Sequence, residues 1–198
     1  ISDEMKERFI LEPNRDNFDY VYYREELATL KGKKFQQKRN HVNRFMNTYP
    51  NWEYKSTTPE LIKLCIEKEN EWYNSNDDYK HQDIDNERQA LLYAMNHAEE
   101  IGIKGGVLFV DGNIVAFTFG FPINHKTFGI HFEKADINYT GAFTVINQMF
   151  AKDIPAEFEY INREEDLGIE GLRKAKTSYN PAFLITKGLI ILSNNSHI

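Results

Sequence analysis

The sequence predicts a mixed α/β fold in which a mostly antiparallel sheet is flanked by helices. Three observations point there. "GGVLFVDGNIVAFTFGF" is two apolar runs around Asp111-Gly112, a dipeptide suited to a type I′ hairpin. "KTFGIHFEKA" (126–135) reads as a third strand, and a loop with one glycine leads from it into an amphipathic helix. "TPELIKLCIEKENEWY" opens as helices do, with Thr58 as N-cap and Pro59 at the first helical position.

The elements follow in order. "FDYVYY" (18–23) suits a strand. From about Gly32 to Tyr49 a helix buries Val42, Phe45, Met46 and Tyr49, and Pro50 ends it. "NWEYKS" (51–56) is a strand, 74–85 a polar loop, and 86–100 a helix burying Leu91, Ala94 and Ala98, with Gly102 as its C-terminal cap. The helix after the hairpin strands places Ala142, Phe143, Ile146, Met149 and Phe150 on one face. A strand at "EFEYIN", a short helix over about 168–177 and a last strand at "AFLITKGLIIL" complete the chain. From Asn51 the order is β-α-α-β-β-β-α-β-α-β, an antiparallel meander leading into a βαβ unit.

The 198 residues are 41% hydrophobic, enough for one substantial core or one core plus part of another. The net charge of −6 argues against general nucleic-acid binding, and no DNA partner is expected. The charge is uneven: residues 31–44 hold six Lys/Arg and no acid, and the remaining 18 basic and 30 acidic residues sum to −12. Cys65 is the one cysteine, so no disulfide closes within the chain, and a reducing cytoplasmic location is expected. No apolar run reaches the roughly 20 residues of a membrane span, and no signal peptide is expected. Contact with a membrane surface stays open. The chain opens on Ile1 and not Met, so preceding sequence is expected.

The candidate site residues fall in four stretches. At the loop "NYTGA", the backbone of Tyr139, Thr140, Gly141 and Ala142 would hold a phosphate, because unpaired N–H groups and the helix dipole favour an anion. Glu133, at the preceding strand end, is read on the same face as His131; the two form either a proton-handling pair or a structural bond. In the basic stretch, Lys34, Lys38 and Arg39 either contact phosphates or form a solvated helix face. "NREED" (162–166) and "GLRKAKTSYNP" supply the rest. There Arg163 would clamp a phosphate or carboxylate, Glu164 (or its neighbours Glu165 or Asp166) would take a proton, Lys174 and Lys176 would touch substrate, and Tyr179 would act as a general acid. The bland alternatives are a salt-bridged loop, cations favoured by a helix end, and a tyrosine packed on the sheet. His125 and His131 lack a metal spacing, so no metal site is expected, and Cys65 is read as core.

The order of elements and the helix-opening loop resemble the acyl-CoA N-acyltransferase (GNAT-like) fold. "RNHVNRF", "HFEKAD" and "YINREEDLGIEGLRKAKTSYNP" further resemble a bacterial family related to the C-terminal domain of phosphatidylglycerol lysyltransferase. The resemblance implies two tandem GNAT-like domains, with residues 1–50 the end of a first domain and its linking helix, and 51–198 the second. It also implies an acyl- or aminoacyl-transferase with no covalently bound cofactor. The donor would be acyl-CoA or aminoacyl-tRNA and the acceptor a small molecule bearing an amine or hydroxyl. The runner-up reading is a non-catalytic module on the same fold that binds a nucleotide or CoA-like ligand.

Overall fold

The computed structural model describes residues 8–75 and 82–192, the side chains of 82–85 excepted. In chain order the elements are β1 (Phe9–Pro13), β2 (Asp19–Tyr23), α1 (Arg24–Thr29), α2 (Gln36–Thr48), β3 (Trp52–Ser56), α3 (Pro59–Ser75), α4 (Gln82–Asn96), β4 (Lys104–Val110), β5 (Asn113–Asn124), β6 (Thr127–Ala135), α5 (Ala142–Asp153), β7 (Tyr160–Asn162), α6 (Glu170–Thr177), β8 (Phe183–Ile185) and β9 (Gly188–Leu192). Tyr23–Ile161 forms one compact unit, and the segments on either side of it form a second. The class is the expected one, mixed α/β with mostly antiparallel strands and flanking helices.

In the larger unit, β3, β4, β5 and β6 pair antiparallel in that order. Asp111 and Gly112 turn β4 into β5 with positive φ at both (50° and 78°), the type I′ geometry their side chains permit. Helices cover both faces. On one, Phe35, Val42 and Phe45 of the α2 region and Ala142, Val145 and Ile146 of α5 pack on Leu108 and Val110. On the other, Cys65 of α3 and Leu91 and Met95 of α4 pack on Phe117 and Phe119. Burial pushes the Cys65 thiol up to about 12, so it is an inert core group. Thr58 accepts the Leu61 amide at 3.3 Å, as a capping residue should.

In the smaller unit, β2 pairs antiparallel with β8, and β1 with β9. The single last strand expected from "AFLITKGLIIL" is therefore two, which pair with different partners. Lys187 marks the break, its ammonium held by Asp19 at 2.5 Å and Glu165 at 3.1 Å. Gly188 follows because a Cβ there would lie 2.1 Å from the Glu12 carbonyl oxygen.

Other expectations shift at their boundaries. Of the loop expected over 74–85, residues 76–81 lie outside the described residues, and α4 begins at 82 instead of 86. Ala98 and Gly102 belong to the turns after α4, where Gly102 takes φ +65°. Phe143 is 46% exposed and not on the buried face of α5; Val145 takes its place. β1 and α1 were not expected from the sequence.

Candidate functional site

The expected site residues fall in both units. Glu133, Tyr139–Ala142 and the basic stretch belong to the larger, and Arg163, Glu164, Lys174, Lys176 and Tyr179 to the smaller.

In the larger unit β6 is irregular. Its pairing with β5 shifts register between Phe119↔Phe132 and Gly120↔Ile130, so His131 is an extra, bulged residue. The bulge reverses the expected alternation. His131 stacks on Phe121, ring centroids 4.1 Å apart, on the side of α3 and α4. Glu133 turns to the other side, where Asn147 of α5 donates to its Oε2 at 3.4 Å. The two side chains therefore leave opposite faces of the sheet, not the one face that alternation predicts.

Asn147 is fully buried, and its Oδ1 has no hydrogen-bond partner among the described residues. Leaving a buried acceptor unmet costs about 1–3 kcal/mol. Sequence reading missed this residue, although a polar side chain on an apolar helical stripe was the available signal.

The loop after β6 is tightly built. The Asp136 carboxylate accepts the Asn138 amide at 2.9 Å, and the Asp136 carbonyl accepts the Tyr139 amide at 3.1 Å. The Ala142 amide donates to the Tyr139 carbonyl at 3.0 Å, so that N–H is already committed. Tyr139 packs on Tyr49 at 5.2 Å, and Thr140 is exposed. Gly141 has φ +99°, and a Cβ there would lie 3.2 Å from both the His41 carbonyl oxygen and Phe45 Cβ. α5 thus starts against α2 at this glycine rather than in open space.

The basic stretch is partly committed to the fold. Lys34 pairs with Glu26 at 2.7 Å. Arg39 clamps the turn after α1, donating to the carbonyls of Leu30 and Gly32. Lys38 is half-buried.

In the smaller unit the two motifs form one network around Asp166, which is fully buried. Arg173 grips its carboxylate with two bonds, at 2.7 and 2.8 Å. Tyr20 donates at 2.5 Å and the Gly168 amide at 3.0 Å. Arg15 adds a contact at 3.4 Å, and Asp16 receives Arg173 at 2.6 Å. Arg173 first, and then Tyr20 and the Gly168 amide, hold the Asp166 carboxyl well below the usual carboxylate range.

Arg163 lies over the rings of Tyr179 (5.0 Å) and Tyr22 (5.9 Å). Tyr179 is buried edge-on to Tyr22. Glu164 has φ +57°, and Lys176, buried, donates to the carbonyls of Arg163 and Glu164. Lys174 is exposed. Among the described residues, no three His, Cys, Asp or Glu cluster as metal ligands, and no helix is long and apolar enough to cross a membrane.

The family model for the C-terminal region of phosphatidylglycerol lysyltransferase matches residues 2–189. This chain belongs to that family. A conserved protein from Bacteroides thetaiotaomicron matches with TM-score 0.91 and 55% identity, over 94% of this chain and 63% of that one. L-PGS from Bacillus licheniformis matches with TM-score 0.60 and 16% identity, over 96% of this chain and 63% of that one, a likeness of fold. An uncharacterised protein of Mycoplasmoides gallisepticum is 25% identical over 174 residues, 87% of this chain and 55% of that protein. The chain thus spans under two thirds of the length of each of these three proteins.

Proposed function

We propose that this chain is part of an acyl- or aminoacyl-transferase, moving an activated group from aminoacyl-tRNA or acyl-CoA to an amine or hydroxyl acceptor. Family membership supports this class. Within the chain, the supporting observation is the meeting of Glu133 with buried Asn147 just past the β6 bulge, beside the loop that opens α5. Bulges re-aim side chains beside active sites, and a buried acceptor left unmet marks a place kept for chemistry more than for stability.

In this reading the Glu133 carboxylate takes the proton of the attacking amine or hydroxyl as its lone pair adds to the acyl carbonyl. The bond to the ribose oxygen of tRNA, or to the sulfur of CoA, then breaks, and the leaving oxygen or sulfur takes the proton that Glu133 holds. The start of α5 favours a donor phosphate through the helix dipole. The cations of residues 31–44 favour the tRNA donor. The chemistry needs no bound cofactor, and both donors place it in the cytoplasm.

The test offers the protein labelled lysyl-tRNA and labelled acyl-CoA separately, with a mixture of amine and hydroxyl acceptors, and follows the label. Transfer from either donor that is lost in Glu133→Gln supports the reading. Tight binding of tRNA or CoA with no transfer would replace it with the non-catalytic binding module.

A further inference from the structure

The larger unit holds a cavity of about 250 Å³ beside the C-terminal end of α5, away from the loop that opens that helix. Its floor is apolar, made by Ile103, Phe128, Phe150 and Ile154, all buried. Its rim is polar, where β3 ends at Ser56, β4 begins at Lys104 and α5 ends at Asp153. The Thr57 amide and hydroxyl both donate to the Gly105 carbonyl, at 2.9 and 3.2 Å, and fix the two strand ends. Asn147, which meets Glu133, lies about 9 Å back along α5 and about 120° around it. The cavity is therefore a separate place from the proposed transfer site.

The Asp153 carboxylate is aimed by its neighbours. Its Oδ2 accepts the Tyr54 hydroxyl at 3.0 Å and the Ser56 hydroxyl at 2.7 Å. Gly106 makes room for this, since a Cβ there would overlap the Tyr54 ring. Burial, and then the Asp153 charge, push the Tyr54 hydroxyl above the usual tyrosine range, so it stays a donor. Asp153 Oδ1 has no hydrogen-bond partner among the described residues, and the helix end adds its own partial negative charge. Lys104 is exposed and in no ion pair among the described residues. Two opposite charges thus stand unpaired at the mouth of one apolar cavity.

We propose that this cavity binds a small zwitterion with an apolar body, the chemistry of a free apolar α-amino acid such as leucine or phenylalanine. The ammonium meets Asp153 Oδ1 and the end of α5, the carboxylate meets Lys104, and the side chain lies on the Phe128 and Phe150 rings. Size agrees, since pockets for drug-sized ligands hold about 300–1,000 Å³ and this one is smaller. A plain amine would leave Lys104 unmet, and a plain carboxylate would leave Asp153 unmet. The inference does not depend on the transfer chemistry.

The test is an NMR titration of the isotope-labelled chain with leucine and with phenylalanine at millimolar concentrations, following the Lys104, Gly105 and Ile154 amides. These amides should shift and saturate. N-acetyl-leucine, which lacks the ammonium, and leucinol, which lacks the carboxylate, should each bind at least about tenfold more weakly than leucine. Lys104→Gln and Asp153→Asn should weaken leucine binding to the same degree. Asparagine keeps the size of Asp153 and an acceptor for Tyr54 and Ser56, and melting curves check that each variant is folded. Should Asp153→Asn fail to fold, Lys104→Gln and the two analogues decide the matter. No saturable shift with either amino acid overturns the proposal. So does either analogue binding as tightly as leucine, or an unchanged affinity in Lys104→Gln.

Discussion

His131 and Glu133, two residues apart on β6, point to opposite faces of the sheet because His131 is the bulged residue. Their substitutions should therefore have separable effects. Glu133→Gln should lower transfer about 10²–10⁴-fold, the usual weight of a general base, with little change in melting temperature. His131→Gln should leave the rate within a few-fold of wild type. Equal losses in both variants, measured as label transfer, would return the two to one shared site.

Gly141 holds α5 against α2. Its φ of +99° suits glycine, and an added Cβ meets His41 and Phe45 at 3.2 Å. Gly141→Ala should destabilise the protein by about 1–2 kcal/mol from backbone conformation, and Gly141→Trp should cost more. Both losses are read from urea denaturation. A tryptophan variant with unchanged stability would mean that α2 moves aside at this point.

Much of the fold was legible because local chemistry specified it. Asp111-Gly112 makes the turn it signals, Thr58 and Pro59 open their helix, and Val42 and Phe45 face inward as their spacing requires. The bulge was not legible, since strand alternation assumes one residue per pairing position and only the register with β5 reveals the extra one. The split of β8 from β9 was hidden for a related reason: an apolar run reads alike whether it feeds one sheet or two. Charge misled most. Arg39 and Lys176 look like ligand-binding cations in sequence, but each donates to backbone carbonyls that no sequence pattern marks. Asp166 finds its tyrosine 146 residues away.

If tRNA is the donor, the exposed cations of residues 31–44 carry its phosphates better than the committed ones. Lys31, Lys33 and Arg44 are exposed and in no ion pair among the described residues, whereas Lys34 and Arg39 are engaged within the fold. Lys31→Gln, Lys33→Gln and Arg44→Gln together should flatten the salt dependence of tRNA binding, by about 0.7–0.9 in log–log slope for each phosphate no longer neutralised. Arg39→Gln should act mainly on melting temperature. An unchanged slope in the triple variant would make this stretch ordinary surface.

The "NREED" loop separates into an anchor and a candidate actor, and pH distinguishes them. Asp166 is the anchor: it is fully buried and bonded to Arg173, Tyr20 and the Gly168 amide. Its folded carboxyl lies well below the ordinary value, with Arg173 as the largest cause. A depressed carboxyl stabilises the folded state fully above its unfolded pKa, about 3.9, and this contribution fades as pH falls through the lower folded value. Wild-type stability, followed by urea midpoints, should therefore drop below about pH 4. Asp166→Asn should be less stable at neutral pH and should lose much of that acid-side slope. Tyr20→Phe, which removes a hydrogen bond to a charged buried group, should cost about 1.5–3 kcal/mol. Glu164 differs, since its backbone is held at φ +57° by Asn162, which accepts the Glu164 amide at 2.7 Å, and by Lys176 on its carbonyl. Those backbone interactions survive Glu164→Gln, which also keeps the side chain's length and a hydrogen-bonding oxygen, so the urea midpoint should move little. A fall in transfer of about 10²-fold or more in that variant, at unchanged midpoint, would assign Glu164 to the chemistry. An unchanged rate would leave the loop a scaffold fastened through Asp166.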